Sequence, residues 1–477
     1  MKNTARSKNI FLNSMLDIKF IRENTEKVKA SLQKRGVDFD MAALLAADEK
    51  RRAAITEGDG LRARQNEFAE EIARSPAGER AEKIAASRDL KARLAAVDKE
   101  MAKAEEEFMR MMRQLPNIPL SETEQDEVLR EVGTKPQFNF VPRDHMEIAI
   151  QLDLIDIERA AKVSGSRFAY LKNEAALLEF ALISLAMKIA TQEGFIPIIP
   201  PVLIAEGATE NLGYWDDEEG RENYFLVRDT RCYACRHYLG GLEGKEVFCR
   251  ECRRTIEQKI TADERMKCHN CGRESRLTWF YLAGTAEHAI VPMHQNEIFA
   301  ASELPRRYVG FSTAFRREAG TYGKDTRGVM RVHQFDKVEL ISFVHPAKSK
   351  DELQYLLGLE EKLWQTLGIP YRVVHLGTKD IAKPSAVTYD IEAWLPGQRE
   401  YREVSSASNT TDFQARRLKT QFRNKEGRNE FVHILNATGF AIGRTLIAIL
   451  ENYQQADGSV AIPEVLQPYM GGMRFIK

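Results

Sequence analysis

Phe315-Arg316-Arg317-Glu318-Ala319-Gly320, followed by Arg331-Val332-His333-Gln334-Phe335-Asp336-Lys337-Val338-Glu339, decides how this chain is read. Both runs set arginines and glutamates inside otherwise apolar sequence. An arginine beside an apolar strand invites an oxyanion, because its planar fork binds phosphate or carboxylate through paired N–H bonds. The same alternation suits a plain ion-pair ladder, so the reading depends on company. Two further patches share the character. One is Leu282-Ala283-Gly284-Thr285-Ala286-Glu287. The other pairs Glu403-Val404-Ser405-Ser406-Ala407-Ser408-Asn409 with Asn436-Ala437-Thr438-Gly439-Phe440-Ala441-Ile442-Gly443-Arg444. No GxxxxGK[ST] loop and no GxGxxG after a strand occurs, which weighs against P-loop and Rossmann nucleotide binding.

Around these patches the chain is ordinary globular sequence of 477 residues, with 43% hydrophobic and 29% charged residues. That length predicts two to four domains at ~150 residues each. Seventy basic residues balance seventy acidic ones, so any nucleic-acid contact must come from local patches and not from net charge. No run reaches the ~18 apolar residues a spanning helix needs; Ala175–Met187 is broken by Glu179 and Leu435–Leu450 by Arg444. No signal-peptide core stands at the start, so a cytoplasmic, non-membrane protein is expected. Residues 1–14, with Lys2, Arg6 and Lys8 and no acid, are expected to be a disordered extension, with Met15 the true start.

Residues 41–115 differ from the rest. Leu90, Leu94, Val97, Met101, Ala104, Phe108, Met111 and Leu115 recur at alternating spacings of three and four, a coiled-coil seam. Ser75-Pro76-Ala77-Gly78 reads as a tip turn. Residues ~41–74 and ~79–114 are therefore expected to form an antiparallel helical hairpin with arms roughly 50 Å long. Gly58 and Gly60 each weaken the first helix by ~1 kcal/mol relative to Ala, so this is where a kink or local fraying is expected. Two helices sharing one narrow seam must project into solvent. Fifteen basic and fifteen acidic residues fit a solvated helical pair, a dimerisation device or an RNA arm.

Taken together, these segments resemble class II aminoacyl-tRNA synthetases. Phe315–Glu318 through Phe335 resembles their motif 2, and Gly439–Arg444 their motif 3. The helix running into Pro200-Pro201 resembles motif 1, their dimer element. Gly284–Glu287, His333–Glu339, Asp412-Phe413-Gln414-Ala415-Arg416-Arg417, Leu450-Glu451-Asn452-Tyr453-Gln454-Gln455 and the start Met15–Asn24 are similar to the seryl-tRNA synthetases of the bacterial type. The resemblance covers about residues 15–230 and 279–477. It implies an α+β fold: an antiparallel class II sheet flanked by helices, with an N-terminal coiled-coil hairpin. Residues 15–135 would be the tRNA-binding domain, with its arm at about 41–114, and 136–477 the catalytic domain.

The implied chemistry is serine activation by ATP and transfer to tRNA-Ser, with tRNA-Sec a further candidate acceptor. By resemblance, Thr285, Ala286, Glu287, Glu318, Glu339, Asn436 and Thr438 form the serine site. Arg316, Arg317, Glu318, Arg331, Phe335, Glu403, Val404, Ser405, Ser406 and Arg444 form the ATP site. Arg316 would grip the α-phosphate. Phe335 and Arg444 would sandwich adenine. Glu403 and Ser406 would hold Mg²⁺, an ion suited to hard oxygen ligands. The arm would reach the tRNA bound to the other subunit of a homodimer. A non-catalytic RNA-binding relative and a ligase charging a carrier protein are the competing readings. Chemically competent site positions argue against the first, and the long arm against the second.

The chain departs from the pattern in two places. Arg317 stands where the family has a small residue. About 45 residues are inserted between Thr230 and the segment before Thr285, and residues 231–278 hold all six cysteines. They form three CxxC pairs: Cys232 with Cys235, Cys249 with Cys252, and Cys268 with Cys271. Paired thiolates at this spacing suit a zinc ribbon, and metal would supply folding energy to a unit too small for its own core. Which four cysteines bind is open, and His237 and His269 enlarge the choice. Four thiolates would leave no place for substrate, so a structural Zn²⁺ is expected.

Overall fold

The computed structural model describes residues 17–76, 78, 80–121, 123–209, 211–216, 218–229, 278–318 and 328–477, with the backbone of four short strands between 246 and 276. Its centre is an eight-stranded sheet. In chain order the strands are β1 (Glu127–Val132), β2 (Ile196–Ile198), β3 (Arg306–Phe315), β4 (Gln334–Val344), β5 (Tyr371–His375), β6 (Val387–Leu395), β7 (Glu400–Asn409) and β8 (His433–Ala441). Across the sheet they run β1-β5-β6-β7-β8-β4-β3-β2. Every neighbouring pair is antiparallel except β3 with β2.

Period-two alternation gives this sheet two chemistries. Val338 and Leu340 on β4, Ala407 on β7 and Ala437 on β8 join the main hydrophobic core. With them pack α3 (Asn173–Gln192), α4 (Ser349–Leu367) and α5 (Ile442–Asn452), whose Leu182, Leu357, Trp364 and Ile447 are buried. The alternate residues Lys337 and Glu339, Ser406 and Ser408, Asn436 and Thr438 take the opposite face and line a cavity. Two β-bulges adjust that face. The register slips at Val338/Glu339 against Thr438–Phe440, and at Ile391/Glu392 against Glu403–Ser405. The first slip returns Phe440 to the core. The second leaves Val404 in the core and brings Glu403 to the cavity side with Ser406.

The N-terminal arm is α1 (Met41–Arg74) and α2 (Arg80–Gln114). Val97, Ala104, Phe108, Met111 and Leu115 of the expected seam are buried, whereas Leu90, Leu94 and Met101 are partly so. Arg51–Glu105, Lys50–Glu107, Arg62–Asp98 and Arg93–Glu57 pair across the two helices. α1 runs through both glycines as unbroken helix, without local fraying, and Gly58 is buried where a Cβ would make ordinary contact with Val97 at 3.7 Å. Among the described residues no helix is long and apolar enough to cross a membrane.

A smaller three-stranded sheet joins Leu203–Ala205, Thr278–Leu282 and Leu226–Asp229. Asp229 pairs with Thr278, so the two ends of the cysteine-bearing insert lie side by side. Within it, Glu246–Cys249 pairs with Arg254–Glu257, and Arg265–Lys267 with Glu274–Arg276. Cys249 ends a strand. Cys232, Cys235, Cys252, Cys268 and Cys271, with His237, His269 and residues 1–16, fall outside the described residues.

Candidate active site

The loop Ala283–Glu287 leaves the small sheet and is tied to β3 by its backbone: Phe315 N–H donates to the Ala283 carbonyl at 2.7 Å. Thr285 and Glu287 thereby face Glu339 on β4. Thr285 Oγ1 donates to Glu339 Oε2 at 3.1 Å, and the Lys337 ammonium pairs with the same carboxylate. Glu287 is buried and accepts from Gln414 Nε2 at 2.7 Å and from the Tyr214 hydroxyl at 3.2 Å. Burial above all, with the Glu339 charge added, pushes its carboxyl up to about 7 against those donors. Asn436 and Thr438 close the same end of the cavity from β8.

The other end is cationic. Arg316 Nε donates to the Gly284 carbonyl at 3.1 Å, and its guanidinium lies 5.6 Å from the Phe335 ring centre. Arg331 Nη1 reaches Glu318 Oε2 at 3.3 Å, and Arg167 Nη1 donates to the Glu318 carbonyl at 2.7 Å. Glu318 sits at φ 49°, a left-handed conformation costly for a residue with a side chain, so these two arginines clamp a strained backbone. Arg444, near the start of α5, bonds Glu403 through its backbone carbonyl at 3.0 Å and its carboxylate at 3.2 Å. Burial would raise the Glu403 carboxyl, but Arg444, Arg316 and Arg331 outweigh it and hold it below its usual range.

Of the residues expected for serine and ATP, Thr285, Glu287, Glu318, Glu339, Asn436, Thr438, Arg316, Arg331, Phe335, Glu403, Val404, Ser405, Ser406 and Arg444 all line this one cavity of about 360 Å³. Two do not. Ala286 is fully buried, and a Cβ on Gly310 would stand 3.3 Å from its own. Arg317 points elsewhere, its guanidinium 5.7 Å over Phe225. The lining also holds Tyr214, Tyr224, His288, Lys337, Ser385 and Ser408, none of which the sequence reading had assigned to the serine or ATP site. Lys337 was within reach of that reading, two residues before Glu339 on a strand. Tyr214 and Tyr224 come from an aperiodic stretch with no such signal.

Among the described residues no group of three or more His, Cys, Asp or Glu is placed to hold a metal ion. Of the cysteines expected to bind zinc, Cys232, Cys235, Cys252, Cys268 and Cys271 lie outside those residues, and Cys249 is described by its backbone alone.

Residues 15–119 match the seryl-tRNA synthetase N-terminal domain, and residues 271–453 the tRNA synthetase class II core domain (G, H, P, S and T). The serine–tRNA ligase of Acidothermus cellulolyticus is 41% identical over 464 residues, covering 96% of this chain and 98% of that one. Among solved structures, seryl-tRNA synthetase from Pyrococcus horikoshii complexed with ATP superposes with a TM-score of 0.77 at 34% identity, covering 97% of this chain and 99% of that one. Cytoplasmic serine–tRNA ligase from Naegleria fowleri in complex with AMP gives 0.75 at 29%, covering 97% and 98%. With both domains matched and similarity running nearly end to end, the chain belongs to the class II seryl-tRNA synthetase family.

Proposed function

We propose that this chain is a catalytically competent serine–tRNA ligase, joining L-serine and ATP to give seryl-adenylate and pyrophosphate and then passing the seryl group to the terminal ribose of tRNA-Ser. The observation that carries this reading is one cavity with two chemistries. Carboxylates and hydroxyls at one end suit an ammonium and a side-chain hydroxyl; arginines and an aromatic ring at the other suit phosphates and a base. The substrate carboxylate attacks the α-phosphorus and pyrophosphate leaves, so catalysis is mainly positioning and charge stabilisation. Arg316, at the cationic end and bonded to Gly284 beside the Thr285 loop, suits the anionic phosphorus centre. Glu403, kept ionised by its arginines, and Ser406 on the same face offer the hard oxygens Mg²⁺ prefers. That ion, when bound, would offset the charge of the departing pyrophosphate. A pocket that hydrogen-bonds a hydroxyl rejects alanine, because its own polar groups would be left unpaired.

The same proposal includes a homodimer in the cytoplasm, each arm serving tRNA on the opposite subunit. It is supported by exposed apolar side chains on α3 and β2, with Phe180 66% and Ile196 45% accessible. It further includes a structural Zn²⁺ on four of the six inserted cysteines, supported by their CxxC spacing and the adjacency of the insert's ends. Serine-dependent ATP–pyrophosphate exchange, with metal analysis and sedimentation on the same sample, tests all three. Exchange with another amino acid but not serine overturns the activity. Full activity with less than ~0.2 zinc per chain overturns a required metal. A fully active monomer overturns the dimer.

A further inference from the structure

His288 follows Glu287 directly and is buried, yet nothing in the reaction above uses it. Its ring sits among three aromatic side chains, with centres 4.5 Å from Trp215, 5.0 Å from Tyr214 and 5.2 Å from Tyr224. Its Nδ1 accepts the Gly284 N–H at 3.1 Å. The carbonyl of the same Gly284 accepts Arg316 Nε at 3.1 Å. One residue therefore spans the imidazole and the guanidinium. Only glycine fits at 284: a Cβ there would lie 2.4 Å from Tyr224 Cε1 and 3.1 Å from His288 Cε1. Burial first, then the nearby Arg316 and Lys337 cations, hold the imidazole well below its usual range. It is thus neutral, and Nδ1 keeps the lone pair that the Gly284 N–H requires.

We propose that His288 is a positioning residue, which through the Gly284 N–H fixes the carbonyl that orients Arg316 for the phosphorus centre of adenylate formation. This rests on the activity proposed above. A hydrogen bond to a charged group is among the stronger ones in a protein interior, and a guanidinium aimed by a rigid carbonyl loses little entropy on engaging phosphate. The aromatic rings around His288 pack against the imidazole on three sides.

Exchange kinetics on the purified full chain test this with three substitutions. His288→Phe keeps an aromatic ring and deletes the acceptor. His288→Asn sacrifices the ring but supplies an oxygen where Nδ1 stood. His288→Val, smaller than the native side chain, serves if the larger ring is not accommodated. Loss of the relay should lower kcat about a hundredfold in His288→Phe and His288→Val, the scale of an ångström-sized misplacement. His288→Asn should stay close to wild type. In an Arg316→Lys background the penalty of losing the acceptor should shrink, because the group being aimed has gone. A packing role predicts the reverse order, with Phe tolerated and Asn not. His288→Phe matching wild type, His288→Asn no better than His288→Phe, or equal penalties in both backgrounds would each overturn the relay. A wild type without serine-dependent exchange would overturn the activity, and the relay with it.

Discussion

The Glu287 carboxyl, pushed up to about 7 chiefly by burial, titrates where the enzyme would work. An ammonium is attracted by the carboxylate and not by the protonated acid. The KM for serine should therefore fall as pH rises through about 7 and level off above it. A KM unchanged between pH 6 and 8.5 would refute that assignment. Glu287→Gln should raise KM about tenfold to a hundredfold and remove the pH step, the worth of a hydrogen bond to a charged group. Glu360 on α4 behaves differently. It is fully buried, and burial, then Asp390 and Glu339, raise its carboxyl well above the usual range. The folded chain thus holds a proton that the unfolded chain releases near the ordinary carboxyl pKa of ~4.3. Stability from this group is lost as pH rises above that value, toward the folded pKa. Glu360→Gln should flatten the dependence of melting temperature on pH and stabilise the fold above neutrality by on the order of 1 kcal/mol. Parallel pH–melting curves for the two proteins would count against this.

At the scale of elements, the arm and the sheet divide the labour. The α2 side of the seam was legible as a three-four repeat, and its buried half is the half nearest the body: Phe108, Met111 and Leu115 pack with Ile21, Val28 and Leu44. Toward the tip the arm depends more on charge pairs such as Arg62–Asp98 and Arg93–Glu57, partly exposed and each worth under ~1 kcal/mol. Deleting residues 45–110 should leave adenylate formation largely intact, since none of them lines the cavity. Charging of tRNA-Ser should collapse. Equal loss of both activities in a folded deletion protein would remove the arm from tRNA recognition.

Across the whole molecule, Arg35 and Asn117 tie the N-terminal part to the wall of the catalytic cavity. Arg35 Nη1 donates to the carbonyls of Asn117 at 3.3 Å and Ser385 at 2.9 Å; Nη2 donates to Ile381 at 3.1 Å and Ala382 at 3.0 Å. Asn117 Nδ2 adds bonds to the carbonyls of Pro384 at 2.9 Å and Thr410 at 2.8 Å. Burial pushes the Arg35 guanidinium down to about 10, and it remains a cation at neutral pH. Ala382 and Ser385 line the cavity, so this clasp sets part of its wall. Arg35→Met should raise the KM for serine or ATP about threefold to tenfold in exchange assays, by loosening that wall. Arg35→Lys should recover part of the loss. Unchanged constants in a folded Arg35→Met protein would show that the wall stands without the clasp.

The sequence by itself determined the arm and the helix-backed strands through short-range regularities: a three-four repeat makes a seam, and alternation makes a two-faced strand. Most of the cavity lining was legible only through the resemblance of the quoted segments to a known family. Only the tertiary structure decided which neighbours complete the site. Tyr214 and Tyr224 reach it from an irregular stretch and His288 from the short helix Glu287–Ile290, and Arg35 clasps a loop 346 residues away in the chain. The bulges that bring Glu403 beside Ser406 and return Phe440 to the core are single-residue slips against a partner strand. No pattern along one strand encodes such a slip. It is fixed by the packing of two strands and the helix beneath them, as is the placing of Arg317 over Phe225 and away from the cavity.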